Sequence, residues 1–281
     1  MELLEYDNGV YRTPAGSRGW FLARISPTAA FFWRYFLIIF KAARVAKRGE
    51  LTGQKWAEAS RDVLHALEVA GVEAEITGVE HLRSLEGPFI VAANHMSTLE
   101  TMVLPVVIQP LRKTTFVVKK SLTTMPVFKY IMNSRDAIAV SQTNPREDLK
   151  TMLTEGLDRL QRDFALIVFP QGTRRLEFHS AHFNSIAVKL ASRAGVPVVP
   201  CAIASDAWGL GKWVPELAKI DPRKKLRIAF DAPLAVTGRG EAAQQQTLEY
   251  ITGKLREWGY AIVDDEPSSA SKKGADTLPT T

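Results

Sequence analysis

His95 and Glu100, five positions apart in "VAANHMSTLET" (Val91–Thr101), are the pair in this sequence whose side chains could exchange a proton near neutral pH. A carboxylate beside an imidazole fixes one tautomer and stabilises the protonated ring, which leaves the far nitrogen to act as a base. The same letters also have a plain structural meaning. Ser97-Thr98-Leu99-Glu100 matches the S-x-x-E capping box, with Ser97 as N-cap and Glu100 reaching back to its amide, and this explains Glu100 without any chemistry. It does not explain Asn94-His95 at the tip of an apolar run. A separation of five is about 140° around a regular helix, so the two side chains meet only if His95 lies on an irregular turn before it.

A second stretch, "FALIVFPQGTRR", breaks from an apolar strand at Pro170 into Gln171-Gly172-Thr173-Arg174. There the glycine permits close backbone approach and the arginine can grip a phosphate by two parallel hydrogen bonds. A third, "AGVPVVPCAI", carries Pro197 and Pro200. Other candidates are weaker. Cys201 sits inside an apolar strand, where a thiol packs. His179 and His182 lack a convincing third ligand, so no metal is expected. Trp208 and Trp213 could line a lipid entrance or pack locally.

The elements that must position these residues follow from periodicity. "QKWAEASRDVLHALEVAG" places Trp56, Val63, Leu64, Leu67 and Ala70 at helical spacing, with Gly71 as a stop, so the first 70 residues read as two helices. Apolar runs at 87–94, 114–120, 136–142, 164–172, 196–204 and 225–234 read as buried strands, and 98–108, 145–162, 183–194 and 241–258 as helices between them. Alternation of this kind predicts an α/β fold: a mixed, mostly parallel sheet flanked by helices, with ligands at the carboxyl ends of the strands. The polar Ser-, Pro- and Thr-rich end suggests a disordered tail over 263–281. The expected organisation is therefore a helical region at 1–72, the main domain at 73–262, and that tail.

Charge says where the chain meets its surroundings. The 281 residues carry a formal charge of +6, and from Asn8 to Gly49 there are eight basic residues and no acidic ones. Within that block "AAFFWRYFLIIF" (Ala29–Phe40) is apolar or aromatic except for Arg34. It is shorter than the roughly 20 residues of a membrane span, and its composition is that of an interfacial helix with cations for anionic headgroups. Residues 20–48 are therefore expected to contact an anionic membrane surface. Nucleic acid is not expected, because the aromatics form one greasy block and do not alternate with basic residues. The single cysteine excludes an internal disulfide framework and fits a reducing compartment.

"NHMSTLE", then "FPQGTR", then "AGVPVVP" in that order resembles the glycerolipid acyltransferases of the 1-acylglycerol-3-phosphate acyltransferase (PlsC-like) family, over about residues 75–235. The resemblance implies an H-x4-E arrangement in which His95 is the general base and Glu100 orients it, with no cofactor, metal or covalent enzyme intermediate. It implies a fatty acyl thioester of CoA or acyl-carrier protein as donor and a lyso-glycerophospholipid hydroxyl as acceptor. Gly172, Thr173 and Arg174 would bind acceptor phosphate, Pro200 would shape the cleft, and Asn94, Ser97 and Gln171 fall within the same substrate-site motifs. The family's pair of N-terminal helices dips into one leaflet, which places the chain at the cytoplasmic face of a membrane, peripheral or monotopic, and gives the fold an N-terminal two-helix membrane-associating motif.

Four positions depart from the family pattern: Gln171 for a glutamate, Gln142 for an arginine, Asn184 for a lysine and Ile186 for a glycine. Each charge-assisted bond to phosphate that is lost costs about 1.5–3 kcal/mol. Either Lys119, Lys120, Arg135 or Arg175 stands in, or the acceptor is a different lyso-lipid, including a non-phosphorylated one; a lipid-binding protein that has lost turnover is the remaining alternative.

Overall fold

The computed structural model describes residues 3–19, 21–211 and 217–263. Its elements run in chain order as β1 (Tyr11–Arg12), α1 (Phe21–Ile25), α2 (Pro27–Lys47), α3 (Gly53–Val69), β2 (Ala74–Thr77), α4 (Val79–Arg83), β3 (Ile90–Ala93), α5 (Leu99–Ile108), β4 (Thr114–Lys119) and α6 (Phe128–Ser134). They continue as β5 (Ile138–Val140), α7 (Pro145–Gln161), β6 (Ala165–Val168), β7 (Phe178–His179), α8 (Ile186–Ala194), β8 (Val198–Ala204), β9 (Leu226–Phe230), α9 (Glu241–Glu257) and β10 (Ile262–Val263). The long helices begin where local chemistry dictates. Ser26, Thr52 and Asn144 each accept a hydrogen bond from the amide three residues on, and prolines 27 and 145 open α2 and α7.

Eight strands form one sheet in the order β1-β2-β9-β8-β3-β6-β4-β5. Pairing is parallel except at β1/β2 and β8/β9. This is the mixed, mostly parallel sheet that the alternation of elements predicts. Because β8, β3, β6, β4 and β5 all run the same way, their carboxyl ends lie along one edge, and β4 is reached from β3 by a crossover past β6. That edge is where open α/β sheets assemble binding sites.

Side chains alternate across the sheet into two cores. Val91, Ala93 and Ile167 face the layer that holds α2, α3 and α5, while Ile90, Ala92, Leu166 and Val168 face that of α7, α8 and α9. Burial on both sides explains why the strands are continuous apolar runs. Phe31, Tyr35 and Ile39 of α2 belong to the same continuous core as Val91 and Val199, with α2 packed on α3 and α3 on α5. Tyr11 also ties β1 to α3, its hydroxyl donating to the buried carboxylate of Glu68 at 2.6 Å. Short β1, β2, β7 and β10 are additions to the sequence reading. Val263, where the disordered tail was expected to begin, pairs with His179, and the rest of that segment lies outside the described residues.

Candidate active site

At the end of β3, Asn94 continues the pairing with β8 by its side chain. Its carboxamide donates to the carbonyl of Ile203 and accepts from the amide of the same residue, both at 2.7 Å, and it is buried. The chain then turns through residues 95–98 before α5 begins. This irregular turn brings Nδ1 of His95 to 2.8 Å from Oε1 of Glu100. Glu100 is fully buried, whereas the His95 side chain remains 15% exposed, so the nitrogen not engaged by Glu100 belongs to a ring that reaches the surface. The imidazole is stacked on Phe169, with ring centroids 4.2 Å apart and 15° between planes.

Glu100 gathers donors from every side. Oε1 accepts from the amides of Met96 at 2.7 Å and Ser97 at 2.9 Å as well as from His95. Oε2 faces the hydroxyls of Ser97 at 3.0 Å and Ser205 at 2.5 Å. Burial pushes this carboxyl up; the hydrogen bonds of His95, Ser205 and Ser97 together with the imidazole charge outweigh it and hold Glu100 below the ordinary glutamate value. The cap and the proton device are thus one object: Glu100 does reach back to the Ser97 amide, while Ser97 Oγ accepts from Leu99, one residue earlier than the capping box places it.

The Pro170–Arg175 turn comes from β6, the neighbour of β3. Gly172 closes it, with its amide on the Phe169 carbonyl at 2.9 Å and a φ of +70° that favours glycine. Gln171 turns inward, and its Oε1 accepts from the amide of His95 at 2.8 Å. On the other side of the same residue, the His95 carbonyl accepts from the amide of Arg175 at 2.9 Å. Arg174 donates to the Thr98 hydroxyl at 2.5 Å, while Gly172 and Thr173 are exposed. Pro200 stands apart, buried inside β8 opposite Ala92 and away from the sheet edge.

The altered positions are occupied structurally. Gln142 Nε2 donates to the Gly172 carbonyl at 2.9 Å, and Asn184 Nδ2 to the Pro170 carbonyl at 2.5 Å. Both therefore hold the turn. Of the cations considered as substitutes, Arg135 donates to the Leu51 carbonyl and lies over the Trp56 ring, whereas Lys119, Lys120 and Arg175 are exposed at or near the carboxyl edge. Two contributors were missed from sequence. Ser205 follows β8 and Phe169 follows β6, and only the strand order brings them to His95 and Glu100; both follow sheet strands whose carboxyl ends share the edge with β3. Trp208 is buried against Phe31, Phe32 and Tyr35 of α2, which settles it as packing, and Trp213 lies outside the described residues.

Known proteins resemble this chain in sequence and in fold. The profile of a family described as Acyltransferase matches residues 73–204. A 1-acyl-sn-glycerol-3-phosphate acyltransferase of Pseudomonas aeruginosa is 31% identical over 190 residues, which cover 66% of this chain and 72% of the relative. The Saccharomyces cerevisiae enzyme of the same name is 30% identical over 49% of this chain and 45% of its own length. The crystal structure of the 1-acyl-sn-glycerophosphate acyltransferase PlsC from Thermotoga maritima superposes with a TM-score of 0.63, covering 83% of this chain and 94% of that one at 20% identity, a likeness of fold. The N-x-x-S turn and the F-P-x-G-T-R turn lie within the matched region, and on this similarity the chain belongs to the PlsC-like family of glycerolipid O-acyltransferases.

Proposed function

We propose that the protein transfers a fatty acyl group from acyl-CoA or acyl-carrier protein to the free hydroxyl of a lyso-glycerophospholipid, with 1-acylglycerol-3-phosphate as the first acceptor to test. The observation that carries this reading is the 2.8 Å contact between His95 and the buried, hydrogen-bonded Glu100. With the carboxylate ionised, Nδ1 carries the proton and Nε2 holds a lone pair. Nε2 takes the acceptor's hydroxyl proton as the oxygen attacks the thioester carbonyl; the C–S bond then breaks and the departing sulfur takes the proton back as a thiol. Glu100 stabilises the imidazolium between these two steps. Gly172, Thr173 and Arg174 form the acceptor-phosphate side, with Lys119, Lys120 and Arg175 as nearby cations. Asn94 and Gln171 hold the turns, Asn94 through both atoms of its carboxamide and Gln171 through its oxygen, all directed at backbone groups.

Helix α2 supports attachment to a membrane. Trp33, Phe36, Leu37 and Phe40 form an exposed stripe at helical spacing opposite the buried face, and Arg34, Lys41 and Arg44 are exposed beside it. Among the described residues no helix is long and apolar enough to cross a membrane; the stripe is read as an interfacial contact, and the cytoplasmic face is what the family resemblance implies.

The test is acyl transfer by purified protein in vesicles, with products read by mass spectrometry across a panel of lyso-lipids and both donor types. Products that vanish in His95→Ala support the proposal. Acylation of only non-phosphorylated acceptors would favour the alternative suggested by Gln142 and Asn184, which face backbone carbonyls where the family pattern has cations. Vesicle binding with no product would leave a lipid-binding protein.

A further inference from the structure

We infer that Ser205 is a positioning residue for the transfer reaction, its hydroxyl fixing Glu100 from the side opposite His95. This assignment rests on the proposed role of the His95–Glu100 pair. Ser205 Oγ lies 2.5 Å from Oε2, the shortest contact that oxygen makes. The neighbouring Ser97 hydroxyl is less committed: Oγ sits 3.0 Å from Oε2, from the Ser205 carbonyl and from Ser205 Oγ alike, and it has one proton to give. It also accepts from the Leu99 amide. Ser205 therefore supplies the defined donor to Oε2.

The segment that carries Ser205 is built to stay still. The amide of Trp208 donates to the Ser205 carbonyl at 3.1 Å, and the indole is locked among Phe31, Phe32 and Tyr35. Between them, the buried carboxylate of Asp206 takes the Lys224 ammonium on one oxygen and the Tyr260 hydroxyl on the other, both at 2.5 Å. A segment anchored at Trp208 and Asp206 carries the hydroxyl that meets Glu100.

The consequence is a division of charge within one carboxylate. A donor at Oε2 draws negative charge away from Oε1, so it weakens the pull of Glu100 on the proton at Nδ1. Removing it makes Oε1 a stronger acceptor, which stabilises the imidazolium and keeps the ring protonated to higher pH. The same loss also makes Glu100 itself easier to protonate, so both effects shrink the active form on the acid side. Among the described residues the ionisable neighbours of this pair include Cys201 on β8, pushed up by burial and by the Glu100 charge, and Arg174, which meets the start of α5 at Thr98. Asp206 is already engaged by Lys224 and Tyr260.

The experiment is an NMR titration of the His95 ring in detergent-solubilised full-length protein labelled on histidine, with the His95 resonance identified by its loss in His95→Ala. Ser205→Ala is expected to raise the apparent His95 pKa by about half a unit or more, since a hydrogen bond to an ion is worth about one unit and part of it is transmitted. In a Glu100→Gln background the same substitution is expected to leave the titration unchanged. In vesicle assays the acid limb of kcat moves up by the same amount, so that kcat on that limb falls by up to about threefold, and the acceptor KM changes less than twofold. An unchanged His95 titration in Ser205→Ala, or an equal shift with and without the Glu100 carboxylate, overturns the assignment. Should alanine lower the melting temperature, Ser205→Cys keeps the volume with a weak donor and gives the same readout. The titration needs no turnover, so absence of activity in the wild-type protein sinks the proposed function while the role of Ser205 is still decided.

Discussion

The two turns that meet at the sheet edge are held in different ways. From Met96 to Leu99, backbone amides find partners inside the turn itself: two go to Glu100 Oε1 and one to Ser97 Oγ. From Pro170 to Arg175 the carbonyls and amides are held mostly from outside, by Gln142, Asn184 and the His95 carbonyl. The first carries the proposed proton chemistry, and its amides are satisfied within the same stretch while Gln171 and Ser205 brace it from the ends of neighbouring strands. The second presents exposed Gly172, Thr173 and Arg175, and its shape depends on side chains from two other elements. A reaction step demands one geometry, while a headgroup site can be altered by changing the residues that frame it.

The contrast is broken most severely at His95. His95→Ala is expected to lower kcat by roughly 10³-fold with little change in acceptor KM, measured as initial rates in vesicles, because a general base is worth about 10²–10⁴-fold. Glu100→Gln should also lower the melting temperature, since a neutral amide oxygen replaces the charged oxygen that accepts from the Met96 and Ser97 amides in a buried place. It should change the pH dependence as well. The Glu100 carboxyl lies below its value in the unfolded chain, so its contribution to stability is full above the ordinary glutamate range and is lost as pH falls through the folded value. Acid unfolding curves of Glu100→Gln should lack that component.

Asn94→Ala removes both bonds to Ile203 and is expected to destabilise the protein by about 2–3 kcal/mol, read from denaturant unfolding. On the recognition side, Arg174→Ala should raise KM for a phosphorylated acceptor by about 10- to 100-fold and kcat much less. If kcat falls as much as for His95→Ala, the separation between the two turns is wrong. The smallest effect is expected at Gln142→Ala, where an exposed hydrogen bond worth about 0.5–1 kcal/mol should change acceptor KM by about two- to fivefold.

What was legible in the sequence follows the same physics. The six apolar runs became strands because both faces of the sheet are covered, and β2 was missed because Glu75 and Thr77 alternate with buried Ala74 and Ile76, which leaves no continuous apolar run. His95 and Glu100 were visible through their local spacing. Ser205 was not, because it follows an unbroken apolar strand and meets Glu100 only across a separation of 105 residues. The departures at Gln142 and Asn184 were visible as letters, but that they hold the backbone of the turn required the fold.

The two peptide groups that flank His95 are held one from each side, by the side-chain oxygen of Gln171 and by the backbone amide of Arg175. Anyone redesigning this protein to accept a new headgroup would be tempted to randomise the whole 170–175 segment. Libraries built that way would be filled with dead variants that tell nothing about selectivity, because the same mutations would tilt the imidazole. Holding 171 constant and keeping proline out of 175 while varying 172 to 175, or varying 142 and 184 behind them, separates the two traits and makes a null result informative.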